Sequence, residues 1–94
     1  MLQTISIIVK GKVQGVFYRQ STQEKATALG ITGTVRNLPN KSVAITATGE
    51  KEQLDQLLAW CRQGPPRAVV SSVESREEEL RLFKEFKVER MSDA

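Results

Sequence analysis

Histidine is absent from this chain of 94 residues, and that gap removes more chemistry than any other feature of its composition. It excludes imidazole acid/base catalysis, phosphohistidine intermediates, the Ser-His-Asp triad and every common zinc site. Cysteine occurs once, as Cys61, so no internal disulfide forms and a reducing, cytoplasmic setting is expected. No apolar run approaches the length of a membrane span. Residues 1–9 are a poor secretion signal, because they include Thr4 and Ser6 and lead directly into a lysine-bearing stretch. A Gly-Lys-Ser/Thr phosphate loop is missing, as is any carboxylate pair with metal or acid/base spacing. Neither a metal nor a cofactor is therefore expected.

The charge that is present is a modest surplus. A net charge of +3 and a pI near 9.3 favour an anionic ligand but fall short of the dense basic face of a nucleic-acid binder. The length suits one domain, residues 1–94, with one core. A monomer is the default for so small a chain without a surplus apolar face.

The most informative stretch is Lys10-Gly11-Lys12-Val13-Gln14-Gly15-Val16-Phe17-Tyr18-Arg19. It follows a strand-like run, Thr4 to Val9, and precedes a helix-like run ending at Gly30. Such a strand-to-helix loop can cradle an anion: glycine lets the backbone approach a ligand, successive amides converge, and a helix N-terminus adds partial positive charge. Arg19 supplies a forked charge suited to phosphate oxygens. The bland reading of the same spacing is a glycine turn with solvated lysines, and Lys10, Lys12 and Lys41 have no geometry that chemistry demands.

Along the chain, Ile5, Ile7 and Val9 alternate as a first strand. Tyr18, Thr22, Ala26 and Leu29 share a helix face, with Ser21 and Glu24 at capping-box spacing, although Glu24 would also suit the first turn on charge alone. Ile31, Gly33, Val35 and Asn37 mark one side of a second strand; Val43, Ile45 and Ala47 mark one side of a third. Leu38 to Ser42 join these two as a hairpin in which Asn40 is expected to take the left-handed conformation. Leu54, Leu57, Leu58 and Cys61 define a second helix ended by Gly64-Pro65-Pro66. Val69, Ser71 and Val73 alternate in a fourth strand, Arg76 to Glu79 form a charged connector, Leu82, Lys84, Phe86 and Val88 make a short closing strand, and Met91 to Ala94 fray. The order βαββαβ plus that fifth strand predicts an α+β, ferredoxin-like sandwich, two helices on one face of a mostly antiparallel sheet. In that topology the first and second strands run parallel with another strand between them. Asn37, at the end of the second, thus faces the loop after the first across roughly 10 Å. Its bland alternative is a strand-end residue bonding the hairpin backbone. Arg36, of opposite parity, is a surface cation.

Two superficial matches fail on context. Cys61 to Arg67 has the Cys-x5-Arg spacing of a cysteine-phosphatase loop, but here the thiol ends a helix on its apolar seam, and Pro65 and Pro66 have no N–H to offer. A buried core thiol is the better reading. The glycine-aromatic run from Lys10 to Tyr18 is loosely like an RNA-binding motif, yet that motif needs outward aromatics on a strand and the first strand has none. Trp60 belongs at the rim of the helix-sheet interface, and Glu77 to Glu79 form a solvated run.

With these residues in place, the sequence resembles the acylphosphatase family. Gly11-Lys12-Val13-Gln14-Gly15-Val16-Phe17-Tyr18-Arg19 matches that family's Gly-x-Val-Gln-Gly-Val-x-aromatic-Arg signature. Gly33-Thr34-Val35-Arg36-Asn37 matches its Gly-x-Val-x-Asn signature, and the likeness spans nearly the whole chain. Thr34, Asn40-Lys41 and Ser21 depart from common family residues without touching Arg19 or Asn37. The resemblance implies metal-free hydrolysis of acyl phosphates. In it the backbone amides of Gln14, Gly15, Val16, Phe17 and Tyr18, together with Arg19, hold the phosphate, and Asn37 orients the attacking water. Inorganic phosphate is then product and competitive inhibitor. The rival readings are a non-catalytic phosphate-binding module of the same fold and a domain recruited to carbamoyl-phosphate handling within a larger protein.

Overall fold

A computed structural model describes residues 1–90 of the chain, so the expected fraying of Met91 to Ala94 lies outside the described residues. The elements are β1 (Gln3–Lys12), α1 (Tyr18–Leu29), β2 (Thr32–Asn37), β3 (Val43–Gly49), α2 (Lys51–Gln63), β4 (Val69–Glu78) and β5 (Phe86–Glu89). They form a five-stranded sheet in the order β4-β1-β3-β2-β5, antiparallel except for the β2/β5 pair. Because β3 is antiparallel to both neighbours, β1 and β2 run the same way, as the split topology requires. The fold is the predicted ferredoxin-like sandwich.

The alternating apolar residues of the three central strands face the helices. Ile5, Ile7, Val9, Val35, Val43, Ile45 and Ala47 are buried there with Tyr18, Ala26, Leu54, Leu57 and Cys61. Ile31 is buried as well, although it precedes β2 rather than opening it. Trp60 lies at the rim as expected, tilted against Tyr18 with ring centroids 5.4 Å apart.

Several local expectations need correction. No capping box closes α1: its N-cap is Phe17, in the left-handed conformation at φ 64°, with no side-chain hydrogen bond to the helix. The reciprocal box belongs to α2, between Glu50 and Gln53. In the hairpin Lys41, not Asn40, has positive φ, 74°. The Asn40 carboxamide oxygen instead accepts from the Ser42 amide at 3.1 Å, which turns the chain and leaves Lys41 at the tip.

β4 differs most. It continues through Glu78, so three of the four residues expected in a charged connector pair with β1, Ser6 opposite Arg76 and Ile5 opposite Glu77. A β-bulge between Lys10 and Gly11 also shifts the register by one residue. Beyond it Val70, not Val69, turns toward the core, and Val69 is 64% exposed. Gly11 is obligatory at that crossing, since at φ 127° a Cβ would lie 2.2 Å from the Val69 carbonyl oxygen. β5 begins only at Phe86; Leu82 and Lys84 are outside it. The segment from Glu79 to Glu85 spans the sheet on the face without helices. Its Arg81 amide donates to the Thr4 hydroxyl at 2.9 Å, and its Arg81 carbonyl accepts from the Thr48 hydroxyl at 2.7 Å.

Candidate active site

The strand directions bring four chain segments to one end of the sheet. β1 and β2 finish there, and β5, parallel to β2, finishes beside them. α1 begins at the same end. Between them lies a cleft of about 320 Å³ lined by Gly15, Phe17, Arg19, Asn37, Val88 and Arg90, among others. Arg19 and Asn37, which the sequence places in separate motifs, therefore border a single cavity.

The loop from Val13 to Phe17 takes its shape from its handedness. Gly15 has φ 74° and Phe17 φ 64°, whereas Val16 between them is not among the residues of positive φ. Alternating handedness of this kind is the backbone pattern of a nest, in which successive N–H groups face one concave side, and here it runs directly into the first turn of α1. Glycine is needed at position 15 for conformation and not for space, because nothing lies within 4 Å of the Cβ it lacks. Phe17 adopts the same region without that freedom, at a cost of about 1–2 kcal/mol. Strain of this size persists where the surrounding structure holds it, and such positions cluster at functional sites.

The flanking side chains brace the nest. Val13, Val16 and Tyr18 are buried, and the Tyr18 hydroxyl donates to the Cys61 carbonyl at 2.8 Å, locking the start of α1 against α2. Gln14 turns away from the cleft: its carboxamide nitrogen donates to the Leu38 carbonyl at 2.9 Å and to the Ser42 carbonyl at 2.8 Å. This clamp spans both ends of the hairpin and begins one residue after Asn37. Gln14 and Val16 do not line the cleft with their side chains, whereas Gly15, Phe17 and Tyr18 border it directly.

Arg19 lies in the first turn of α1. Its Nη1 donates to the Glu89 carbonyl at 3.2 Å, so the end of β5 holds the guanidinium. Gln23, one turn on, fixes the same strand by donating to the Phe86 carbonyl at 2.9 Å. Asn37 has the helix-facing parity predicted for it, opposite Val43. Its side-chain oxygen is buried yet accepts no hydrogen bond from any described residue. The Asn37 oxygen therefore does not bond the hairpin backbone, and it is Gln14 that bridges the two ends of the hairpin. An unmet buried acceptor costs about 1–3 kcal/mol, which a bound water or ligand donor would recover.

The sequence did not single out Gln20, Val88 or Arg90, all of which border the cleft. Only the position of β5 beside β2 brings the last two there, and a four-residue edge strand leaves no periodic signal of its partner. Cys61 is confirmed as a core thiol. Burial pushes its pKa up to about 11, with Tyr18 and Arg62 offsetting part of the effect, so no thiolate is available near neutrality.

The chain is similar to known proteins over most of its length. A model of the acylphosphatase family matches residues 5–88. The acylphosphatase of Acaryochloris marina is 49% identical over 84 residues, covering 89% of this chain and 90% of that protein. That of Marinobacter nauticus is 56% identical over 71 residues, covering 76% and 77%. The structure of an acylphosphatase from Coxiella burnetii superposes with a TM-score of 0.91 at 40% identity, over 94% of this chain and 93% of that one.

Proposed function

Since the chain belongs to the acylphosphatase family and hydrolyses the carboxyl-phosphate bond of acyl phosphates, we propose that its chemistry is performed by the nest, Arg19 and Asn37 without a metal. The amides of Gln14 to Tyr18 and the Arg19 guanidinium take the non-bridging phosphoryl oxygens, where charge is greatest. The Asn37 oxygen accepts one proton of a water and so aims a lone pair at phosphorus, opposite the leaving carboxylate. A bond forms from the water oxygen to phosphorus, the bond to the acyl oxygen breaks, and its electron pair leaves on the carboxylate. The surplus proton passes to solvent. An acyl phosphate is already activated, so positioning and charge neutralisation suffice and no histidine is needed. The observation that carries this reading is that Asn37, whose buried side-chain oxygen has no partner among the described residues, lines the same cleft as Arg19.

Inorganic phosphate, which matches the nest but carries no acyl group, acts as product and competitive inhibitor. The chain acts as a single domain and as a monomer, and a cytoplasmic setting fits its one buried thiol. Among the described residues no helix is long and apolar enough to cross a membrane. The decisive assay is hydrolysis of a synthetic acyl phosphate in excess chelator. Wild-type turnover that resists chelation, is competed by inorganic phosphate, and drops about 10²–10³-fold in Arg19→Ala supports the assignment. Arg19→Lys, which keeps charge but loses the fork, should also be substantially impaired. Wild-type speed in Arg19→Ala, or binding of phosphate with no turnover, refutes it.

A further inference from the structure

The groups assigned so far all grip phosphate or water, and none selects the acyl group. Phe17 stands apart among the cleft residues: it is 71% exposed, holds a left-handed backbone, and is one of the few large apolar side chains left in solvent. A glycine or asparagine would meet the backbone requirement with less strain, so the backbone does not explain the ring. We infer that the Phe17 ring is the platform on which the acyl portion of the substrate rests, and that the site favours acyl phosphates with an aromatic or extended apolar acyl group.

This inference rests on the catalytic reading above and follows from its directions. In-line attack puts water and leaving group on opposite sides of phosphorus. The water lies on the side of Asn37, a residue that lines the cleft and whose side-chain oxygen is buried and unpartnered among the described residues. The acyl group must then leave toward solvent. It is joined to phosphorus through one bridging oxygen, and the Phe17 amide belongs to the nest that holds that phosphorus. The first atoms of the acyl chain therefore emerge beside residue 17. Val88, half-buried, offers a second apolar surface on the β5 side of the cleft. The exposed face of the ring is free to stack on a planar acyl group or to cover an alkyl one.

The test compares kcat/KM for benzoyl phosphate and acetyl phosphate in wild type, Phe17→Asn and Phe17→Trp. Asparagine tolerates the left-handed backbone but removes the ring; tryptophan keeps a ring. The expected result is a fall of about tenfold in the benzoyl-to-acetyl ratio for Phe17→Asn, seen mainly in KM, with the ratio restored in Phe17→Trp. Damage to the nest lowers both substrates together, so a ratio unchanged across an active series overturns the inference alone. A wild-type chain that hydrolysed neither compound would overturn the catalytic reading and this one with it.

Discussion

Replacing Asn37 by aspartate changes the volume of the side chain very little but sets a carboxylate against the phosphoryl oxygens. Asn37→Asp should consequently be slower at neutral pH than Asn37→Ala, which itself loses about 10²–10³-fold in kcat. Because the Asn37 oxygen is buried without a donor, Asn37→Ala should not lower thermal stability. Enzyme kinetics and a melting curve on the two variants check the pair of expectations, and an active Asn37→Asp would contradict them. Gly15→Ala forces a Cβ onto a φ of 74° and should cost about 1–2 kcal/mol in urea unfolding while weakening phosphate inhibition. The positions of Arg19 and Asn37 beside one cleft could be read from the sequence because each depends on something local, a glycine loop entering a helix or the parity of a short strand. The cap at Phe17 and the turn at Lys41 could not, since several residues in each stretch could have accepted the unusual dihedral.

At the scale of elements, the hairpin and the nest are separate in sequence and joined by Gln14. Gln14→Ala removes donors at 2.9 and 2.8 Å from two partly buried carbonyls. It should lower stability by about 1–3 kcal/mol. It should also reduce kcat more than it weakens phosphate inhibition, because the hairpin carries Asn37 while the amides remain in the loop. Urea titration and phosphate-inhibition assays separate the two effects. The helices and central strands were legible from their periods, and Leu54, Leu57 and Cys61 are buried as their spacing required. The parity of β4 was not. Its alternating valines predict one face throughout, but the bulge opposite Gly11 inserts a residue and exposes Val69. A bulge depends on the partner strand, so the bulged strand's own residues do not announce it.

For the whole molecule, alkaline pH is the sensitive direction. Burial raises the pKa of Cys61 from 9.0 to about 11 and drives that of Tyr18 upward too, with Cys61 as a lesser cause. Both groups bind protons more tightly folded than unfolded. The stability they contribute is complete below pH 9 and is lost as pH rises toward 11 and beyond. Urea unfolding from pH 8 to 11 should show that decline, with Cys61→Ser flattening its lower part while leaving turnover intact. A disulfide reagent at pH 8 should label Cys61 only after denaturant is added. The parallel course of β1 and β2 about a shared neighbour followed from the element order, but the place of β5 and the passage of residues 79–85 across the open face did not, because that passage is held by backbone groups to Thr4 and Thr48, far away in sequence. That long return has a consequence for the cleft, because it delivers β5 to the edge beside β2. The loop before α1 and the carbonyl that restrains Arg19, that of Glu89, are some seventy positions apart in the chain, so the guanidinium is held only where the edge strand β5 is docked beside β2.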